Sequence, residues 1–133
     1  TVKHWLETLT DDDYEVEETK TYEGTTDTDA VIKGKEKEFT GFTFNPSKTT
    51  TEPVNGDLNI NGSGDLVINL YYDRNSYRLE LKSGYNITAV SLNGTTDYSG
   101  DFKYGETIKV IGKTDNDTSL IFSVNKFKKS FLS

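Results

Sequence analysis

Alternating apolar and polar positions recur along most of this chain, and this period of two residues predicts strands. Residues 1–9, "TVKHWLETL", make one extended segment, and "YEVEETK" puts Tyr14, Val16 and Glu18 on one predicted face. The polar cluster Asp11–Asp13 separates the two segments. Residues 1–20 are therefore predicted to form a β-hairpin with the acidic run at its tip.

The stretch 28–38 has no clear period, and we weigh a short helix against a strand. Thr28 or Asp29 would cap the helix, which is the interpretation we favour. The β-branched pair Val31 and Ile32, together with Gly34, lowers its helix propensity.

The middle of the chain contains a strand that is apolar on both faces. One face carries Leu66, Ile68, Leu70 and Tyr72, and the other carries Val67 and Tyr71 with Asn69 between them. We predict that this strand is central in its sheet. The Gly-rich stretch 61–65 predicts a hairpin that joins it to residues 58–60.

Two shorter segments precede that strand. Phe42 and Phe44 share a face of a short strand that Pro46 ends, and Pro53 confines the following segment to a loop or a sheet edge. After the central strand, "YRLELK", "NITAVSL" and "SLIFSV" read as further strands. A turn at 104–106 is predicted before another strand over 107–111.

The charged stretch Asp73–Asn75 lies between two strand-like runs, and we interpret it as a junction between modules. The predicted domains are residues 1–75, residues 76–125, and a basic tail over 126–133 that is also read as the start of a next segment. The alternative is an ordinary hairpin turn within one sheet.

Composition supports a mostly β chain and excludes several function classes. Thr and Tyr are common, whereas Ala occurs only twice. A net charge of −7 opposes binding to nucleic acids and to anionic lipid surfaces. No apolar run is long enough to span a membrane, so we expect no membrane insertion. Without Cys and with one His, the chain lacks parts for nucleophilic triads, and we expect no enzyme activity and no cofactor.

Individual polar residues receive ordinary structural interpretations. His4 is expected to be a partly buried strand residue. The clusters Asp11–Asp13 and Asp115–Asp117 are interpreted as turns and not as calcium sites, because neither has the EF-hand spacing. We expect no covalent bond at Asn69, since the sequence alone places neither a lysine nor a carboxyl group beside it. No catalytic, metal or binding residue is assigned.

Several motifs in residues 1–75 resemble repeat domains of bacterial surface proteins. The opening "VKHWL", the Thr-Gly-type turn at Gly24–Thr26, the segment "GFTF" and the closing "LYYDRN" are similar to mucin-binding-protein (MucBP) repeats and internalin B-repeats. Residues 76–125 resemble more divergent B-repeat units through "YRLELKSG" and "FKYGETIKV", but end in "TSLIFSVNKF", without the usual Gly-aromatic turn and Trp strand.

This resemblance implies a β-grasp-like first module, with a mixed sheet crossed by a short helix or coil, and a small all-β second module. It also implies a secreted protein in the cell wall or on the cell surface of a Gram-positive bacterium. We expect a non-catalytic stalk or spacer, monomeric within a longer tandem array, that presents an adhesive region. One alternative is an adhesin module that binds a host glycoprotein, a polysaccharide or a peptide directly. Another is an accessory domain of a secreted enzyme or of a phage fibre, which the sequence does not separate from a spacer.

Overall fold

The computed structural model describes residues 1–53, 57–80, 87–91, 96–97, 100–112 and 119–124. The chain divides into two compact units, Thr1–Arg74 and Asn75–Ser133. This division falls at the charged stretch that the sequence marks as a junction. Whether each unit folds alone stays a prediction.

A mixed sheet forms the first unit. Its strands in chain order are β1 (Val2–Glu7), β2 (Tyr14–Lys20), β3 (Phe42–Phe44), β4 (Thr50–Glu52) and β5 (Val67–Arg74). The order across the sheet is β2-β1-β5-β3, and β4 pairs with β5 as well. Strand β1 runs parallel to β5, whereas the other pairs are antiparallel. The mostly β fold and the mixed sheet are thus confirmed.

Strand β5 is central, as its two apolar faces predict. It lies between β1 on one side and β3 with β4 on the other. The alternate positions Leu66, Ile68, Leu70 and Tyr72 are buried together with Val2, and this cluster forms the core of the unit. Phe42 and Phe44 are among the partly buried side chains that pack against it.

The predicted hairpin of β1 and β2 is confirmed, but the face assigned to Glu18 is wrong. The register shifts between His4 and Trp5, so that His4 pairs with Glu18 whereas Trp5 pairs with Val16. A bulge inserts one unpaired residue and reverses the facing of the residues beyond it. Val16 consequently shares the face of Trp5, whereas Glu18 shares the opposite face with His4.

The short helix favoured for residues 28–38 is wrong. The segment is coil with turns, and within the described residues of this unit the sole helix is a 3₁₀ turn at Pro46–Lys48. Gly34 has a φ of 83° and Asp27 a φ of 62°, both outside the right-handed helical region. Residues 28–38 therefore cross the first sheet as coil where a helix was expected. We call this segment the crossing coil.

The hairpin predicted between residues 58–60 and β5 is also wrong. The backbone of Leu58 and Ile60 pairs with the crossing coil instead: Ala30 N donates to Leu58 O at 2.8 Å, and Ile60 N donates to Thr28 O at 2.9 Å. The turn Asn61–Gly64 does form, with Gly64 N donating to Asn61 O. It makes no hairpin, because β1, β3 and β4 already occupy both edges of β5.

The described residues of the second unit form strands and turns, as expected for a small all-β module. Its described strands are β6 (Ser76–Leu79), β7 (Ile87–Ser91), β8 (Thr96–Asp97), β9 (Gly100–Lys103), β10 (Thr107–Gly112) and β11 (Ser119–Ser123). All their pairings are antiparallel, in the orders β11-β10-β7-β8 and β6-β9.

The second core consists of Leu79, Phe102, Ile108 and Val124, with Tyr77 packed against it. The predicted turn at 104–106 is confirmed, and Gly105 has a φ of 81° that suits glycine there. Asp115–Asp117, the predicted tail 126–133 and the last part of "YRLELK" lie outside the described residues.

Candidate functional site

The face of the first sheet opposite its core carries a row of aromatic side chains. Trp5 and Tyr71, which are partners in the parallel ladder, stack with ring centroids 5.9 Å apart and an interplanar angle of 20°. Tyr14 meets Tyr71 edge to face, with centroids 5.1 Å apart at 84°. All three rings are half-buried. Such aromatic pairs stabilise a sheet beyond the area that they bury.

The β2 bulge supplies one end of this row. It places Tyr14 and Val16 on the same face as Trp5, and Val16 is 44% exposed. Alternation along each strand does not show that Trp5 and Tyr71 lie side by side. The β1–β5 register is needed as well. The aromatic row is therefore a site that sequence reasoning missed.

Charged groups border the tyrosine end of the row. The Tyr14 hydroxyl donates a hydrogen bond to the Asp73 carboxylate, which also accepts a hydrogen bond from Asn45 Nδ2 at 2.6 Å. Lys48 Nζ lies 4.7 Å from the centroid of the Tyr14 ring, in the position of a cation–π contact. Burial, and then the Asp73 hydrogen bond, raise the pKa of Tyr14, so it stays a neutral donor.

Asn69 is the buried polar residue of this face, and its carboxamide is fully engaged. The residue is 3% exposed. Its Oδ1 accepts a hydrogen bond from Trp5 Nε1 at 2.8 Å. Its Nδ2 donates to Glu52 Oε1 at 3.1 Å and to Thr50 Oγ1 at 3.3 Å. The burial of an amide in an apolar strand is thus compensated by three partners on the two neighbouring strands β1 and β4.

His4 lies on the opposite, core-facing side of β1 and is fully buried, not partly buried as expected. Its Nδ1 and the Tyr72 hydroxyl are 3.0 Å apart, and the same hydroxyl accepts a hydrogen bond from Lys37 N at 3.0 Å. The Nε2 atom has no partner among the described residues. Burial, the largest effect, lowers the pKa of His4, and Glu18 partly opposes it.

A cleft of about 480 Å³ opens where the crossing coil meets the 60–64 turn. Its apolar residues include Val2, Ile60 and Leu66, and Tyr22 lines it together with several threonines. The Tyr22 ring lies beside two ammonium groups, Lys35 Nζ at 4.1 Å and Lys20 Nζ at 5.2 Å. A cleft of this size accommodates a small molecule, and the charged side chains that line it are Glu23, Asp29 and Lys35.

The first acidic cluster forms a turn, as interpreted from the sequence. Asp13 O accepts a hydrogen bond from Thr8 N at 2.8 Å, and Asp13 Oδ1 accepts one from Tyr14 N at 2.8 Å. Asp12 has a φ of 48°, which Asp tolerates better than most residues. In the part of the chain that the structure describes, no three His, Asp or Glu side chains lie together as metal ligands.

Comparison with known proteins gives no match to a family model, to a curated protein or to a solved structure. The similarity to MucBP and internalin B-repeats therefore stays a prediction from the residues. Within the described ranges, no helix has the length and hydrophobicity needed to cross a bilayer.

Proposed function

We propose that this chain is a non-catalytic stalk or spacer of a secreted bacterial surface protein, built from two modules that hold an adhesive region away from the cell wall. The observation that carries the proposal is the parallel pairing of the first and last strands of unit 1. Val2 pairs with Ile68 at one end of this ladder, and Leu6 pairs with Tyr72 at the other.

Parallel pairing puts the entry and exit of the unit at opposite ends of one sheet. Thr1 N donates to Leu66 O at the entry end, whereas Arg74 N donates to Glu7 Oε2 at the exit end. A strand rises about 3.3 Å per residue, so the unit advances the chain by roughly 20 Å. A unit with its entry and exit at opposite ends adds its own length to the chain, which is what a spacer requires.

The same geometry suits resistance to pulling. Force applied at the two ends of the unit would slide β1 and β5 past each other, so the hydrogen bonds of the ladder would share the load. Force applied at neighbouring ends of the same two strands would open these bonds one after another. The Gram-positive surface location rests on the residue motifs, and the mechanical argument is independent of it.

Single-molecule pulling of the full chain tests this proposal. The chain has no Cys, so one introduced cysteine gives a unique attachment point beside the N-terminus. Ser76→Cys, at an exposed residue just after β5, loads unit 1 from opposite ends. We expect it to withstand a several-fold higher force than in the unzipping geometry described next.

Gly62→Cys provides the matched control. Gly62 lies in the turn before β5, and a side chain there meets no atom within 4 Å. Pulling between Thr1 and residue 62 unzips β1 from β5 in the same fold. Equal resistance in the two geometries would contradict a load-bearing role for the parallel pair.

A second candidate function, direct binding of a polysaccharide or host glycoprotein, is favoured by the aromatic row. Trp5, Tyr71 and Tyr14 offer flat rings on which sugar rings can stack, and Asn69 and Asp73 lie among them. Trp5 is the single tryptophan of the chain, so its fluorescence reports on this face alone. A saturable change in Trp5 fluorescence on addition of a polysaccharide, absent in Tyr71→Ser, would favour this function. No change in fluorescence with any polysaccharide tested would favour the spacer.

A further inference from the structure

Three residues on adjacent strands of the first sheet carry an amine, a carboxamide and a carboxyl group on its open face. Lys3 of β1 is the ladder partner of Asn69 of β5. Parallel partners project to the same face of a sheet from strands about 4.8 Å apart. Glu52 of β4 reaches Asn69 from the other side, with Oε1 at 3.1 Å from Nδ2.

The Asn69 carboxamide is held in a polarising environment. Trp5 Nε1–H donates to Oδ1, which draws electron density away from Cγ and would stabilise negative charge developing on that oxygen during nucleophilic addition. The carboxyl group of Glu52 already contacts the nitrogen that would leave. The amide is 3% exposed, so bulk water has little access to compete as the nucleophile.

Lys3 is the available nucleophile. It is half-buried, and among the described residues its ammonium group makes no hydrogen bond and no salt bridge. Its flexible side chain is long enough to reach the carboxamide of its ladder partner on the adjacent strand. An amine becomes nucleophilic once a nearby base removes a proton from it. The Glu52 carboxylate contacts the Asn69 amide, so Lys3 would meet this base on reaching that amide.

We propose that Lys3 and Asn69 form an intramolecular amide bond, with Glu52 as the general acid and base. Glu52 takes a proton from the Lys3 ammonium, and the neutral Nζ adds to Asn69 Cγ. Glu52 then passes that proton to Nδ2, the Cγ–Nδ2 bond breaks, and a second proton leaves Nζ. Two protons leave Nζ and two reach Nδ2, so nitrogen departs as an ammonium ion and Glu52 is regenerated.

The bond would join the first and last strands of unit 1 covalently. It would span the ladder that the proposed spacer loads in shear, so tension would pass from Lys3 directly to Asn69. Residues 4–68 would then not extend under force. The proposal does not depend on the spacer function, because bond formation is detected chemically without any force.

Intact-protein mass spectrometry of the folded full chain tests the proposal. The expected mass is short by one ammonia. Lys3→Arg retains the positive charge but removes the reacting amine, so it should have its full calculated mass. Glu52→Gln retains a hydrogen-bonding side chain without acid-base function and should be uncrosslinked or much slower to crosslink. Crosslinking of Glu52→Gln at the wild-type rate would overturn the role given to Glu52.

Trypsin digestion locates the bond. Trypsin cleaves after unmodified Lys and Arg, so a free Lys3 releases the peptides 1–3, 4–20 and 49–74. A crosslinked Lys3 resists cleavage and gives one branched product, residues 1–20 joined to residues 49–74. Full mass in the folded wild type, or an ammonia loss that persists in Lys3→Arg, would overturn the proposal. The second result would point to cyclisation at an Asn-Gly pair such as Asn61–Gly62.

Discussion

The two units differ in how their first and last strands are placed. In unit 1 these strands, β1 and β5, lie side by side in parallel at the centre of the sheet. In unit 2 the first strand, β6, pairs with β9, and the last strand, β11, pairs with β10 in another sheet. Only unit 1, among the described strands, therefore carries a ladder that pulling at its own ends would load in shear.

The two units also differ in net charge. Unit 1 contains seven Lys and Arg against sixteen Asp and Glu, a net charge of −9, whereas unit 2 contains eight against six, a net charge of +2. The overall value of −7 thus hides an acidic module followed by a mildly basic one. A net charge of this size makes copies of the first module repel one another.

The largest effect is expected from truncating the centre of either core. Leu70 is 0% exposed in unit 1, and Ile108 is 1% exposed in unit 2. Each change to Ala should cost about 2–5 kcal/mol in its own unit. Denaturant unfolding followed by Trp5 fluorescence reports on unit 1, so Leu70→Ala should move that transition and Ile108→Ala should not.

Two outcomes would break the comparison between the units. A loss below about 1 kcal/mol for Leu70→Ala would place this residue outside the core. An equal shift of the Trp5 transition in Ile108→Ala would mean that both units unfold together.

A smaller effect on stability is expected from pH, and it is confined to unit 1. Burial lowers the pKa of His4 below its ordinary value of 6.5, so the unfolded state binds the proton more readily than the folded state. Stability is therefore complete above about pH 6.5 and falls as the pH drops below it, by up to about 1.4 kcal/mol per pH unit.

His4→Gln is the control for this pH dependence. His4 is the single histidine of the chain, and no other side chain ordinarily titrates between pH 7 and 5.5. Urea unfolding should show a lower stability at pH 5.5 than at pH 7 in the wild type, and a markedly smaller difference in the variant. An equal loss in both would assign the effect to other groups.

The local elements of the fold were predictable because short-range patterns determine them. The acidic turn between β1 and β2, the alternation along β5 and the turn at Gly105 each follow from neighbouring residues. The bulge opposite His4 and Trp5 was not predictable, because one extra residue in β2 reverses its facing without any signal in its composition. Glu18 was misplaced for that reason.

Long-range pairing accounts for what the sequence left open. Residues 58–60 were assigned to a hairpin because the Gly-rich turn beside them favours one, but β1, β3 and β4 occupy both edges of β5. The crossing coil does not form the predicted helix, because the backbone of Thr28 and Ala30 pairs with residues 58–60. Lys3, Glu52 and Asn69 are distant in sequence, so only the β1–β5 and β4–β5 registers bring them together.

The smallest effect is expected from calcium. We expect millimolar Ca²⁺ to leave the melting temperature unchanged, because the side-chain and backbone oxygens of Asp13 are used in the turn after β1. A ligand that binds only the folded state raises the melting temperature by mass action. A clear rise with Ca²⁺ that Mg²⁺ does not reproduce would show that an acidic cluster binds the ion.

Expression of residues 1–75 alone tests the central claim, that unit 1 is a complete module. The fragment retains the β1–β5 ladder and every residue of the first core. We expect a β-type circular dichroism spectrum and one cooperative unfolding transition, with Trp5 fluorescence matching that of the full chain. An unfolded fragment beside a folded full chain would contradict the two-module account and the spacer function built on it.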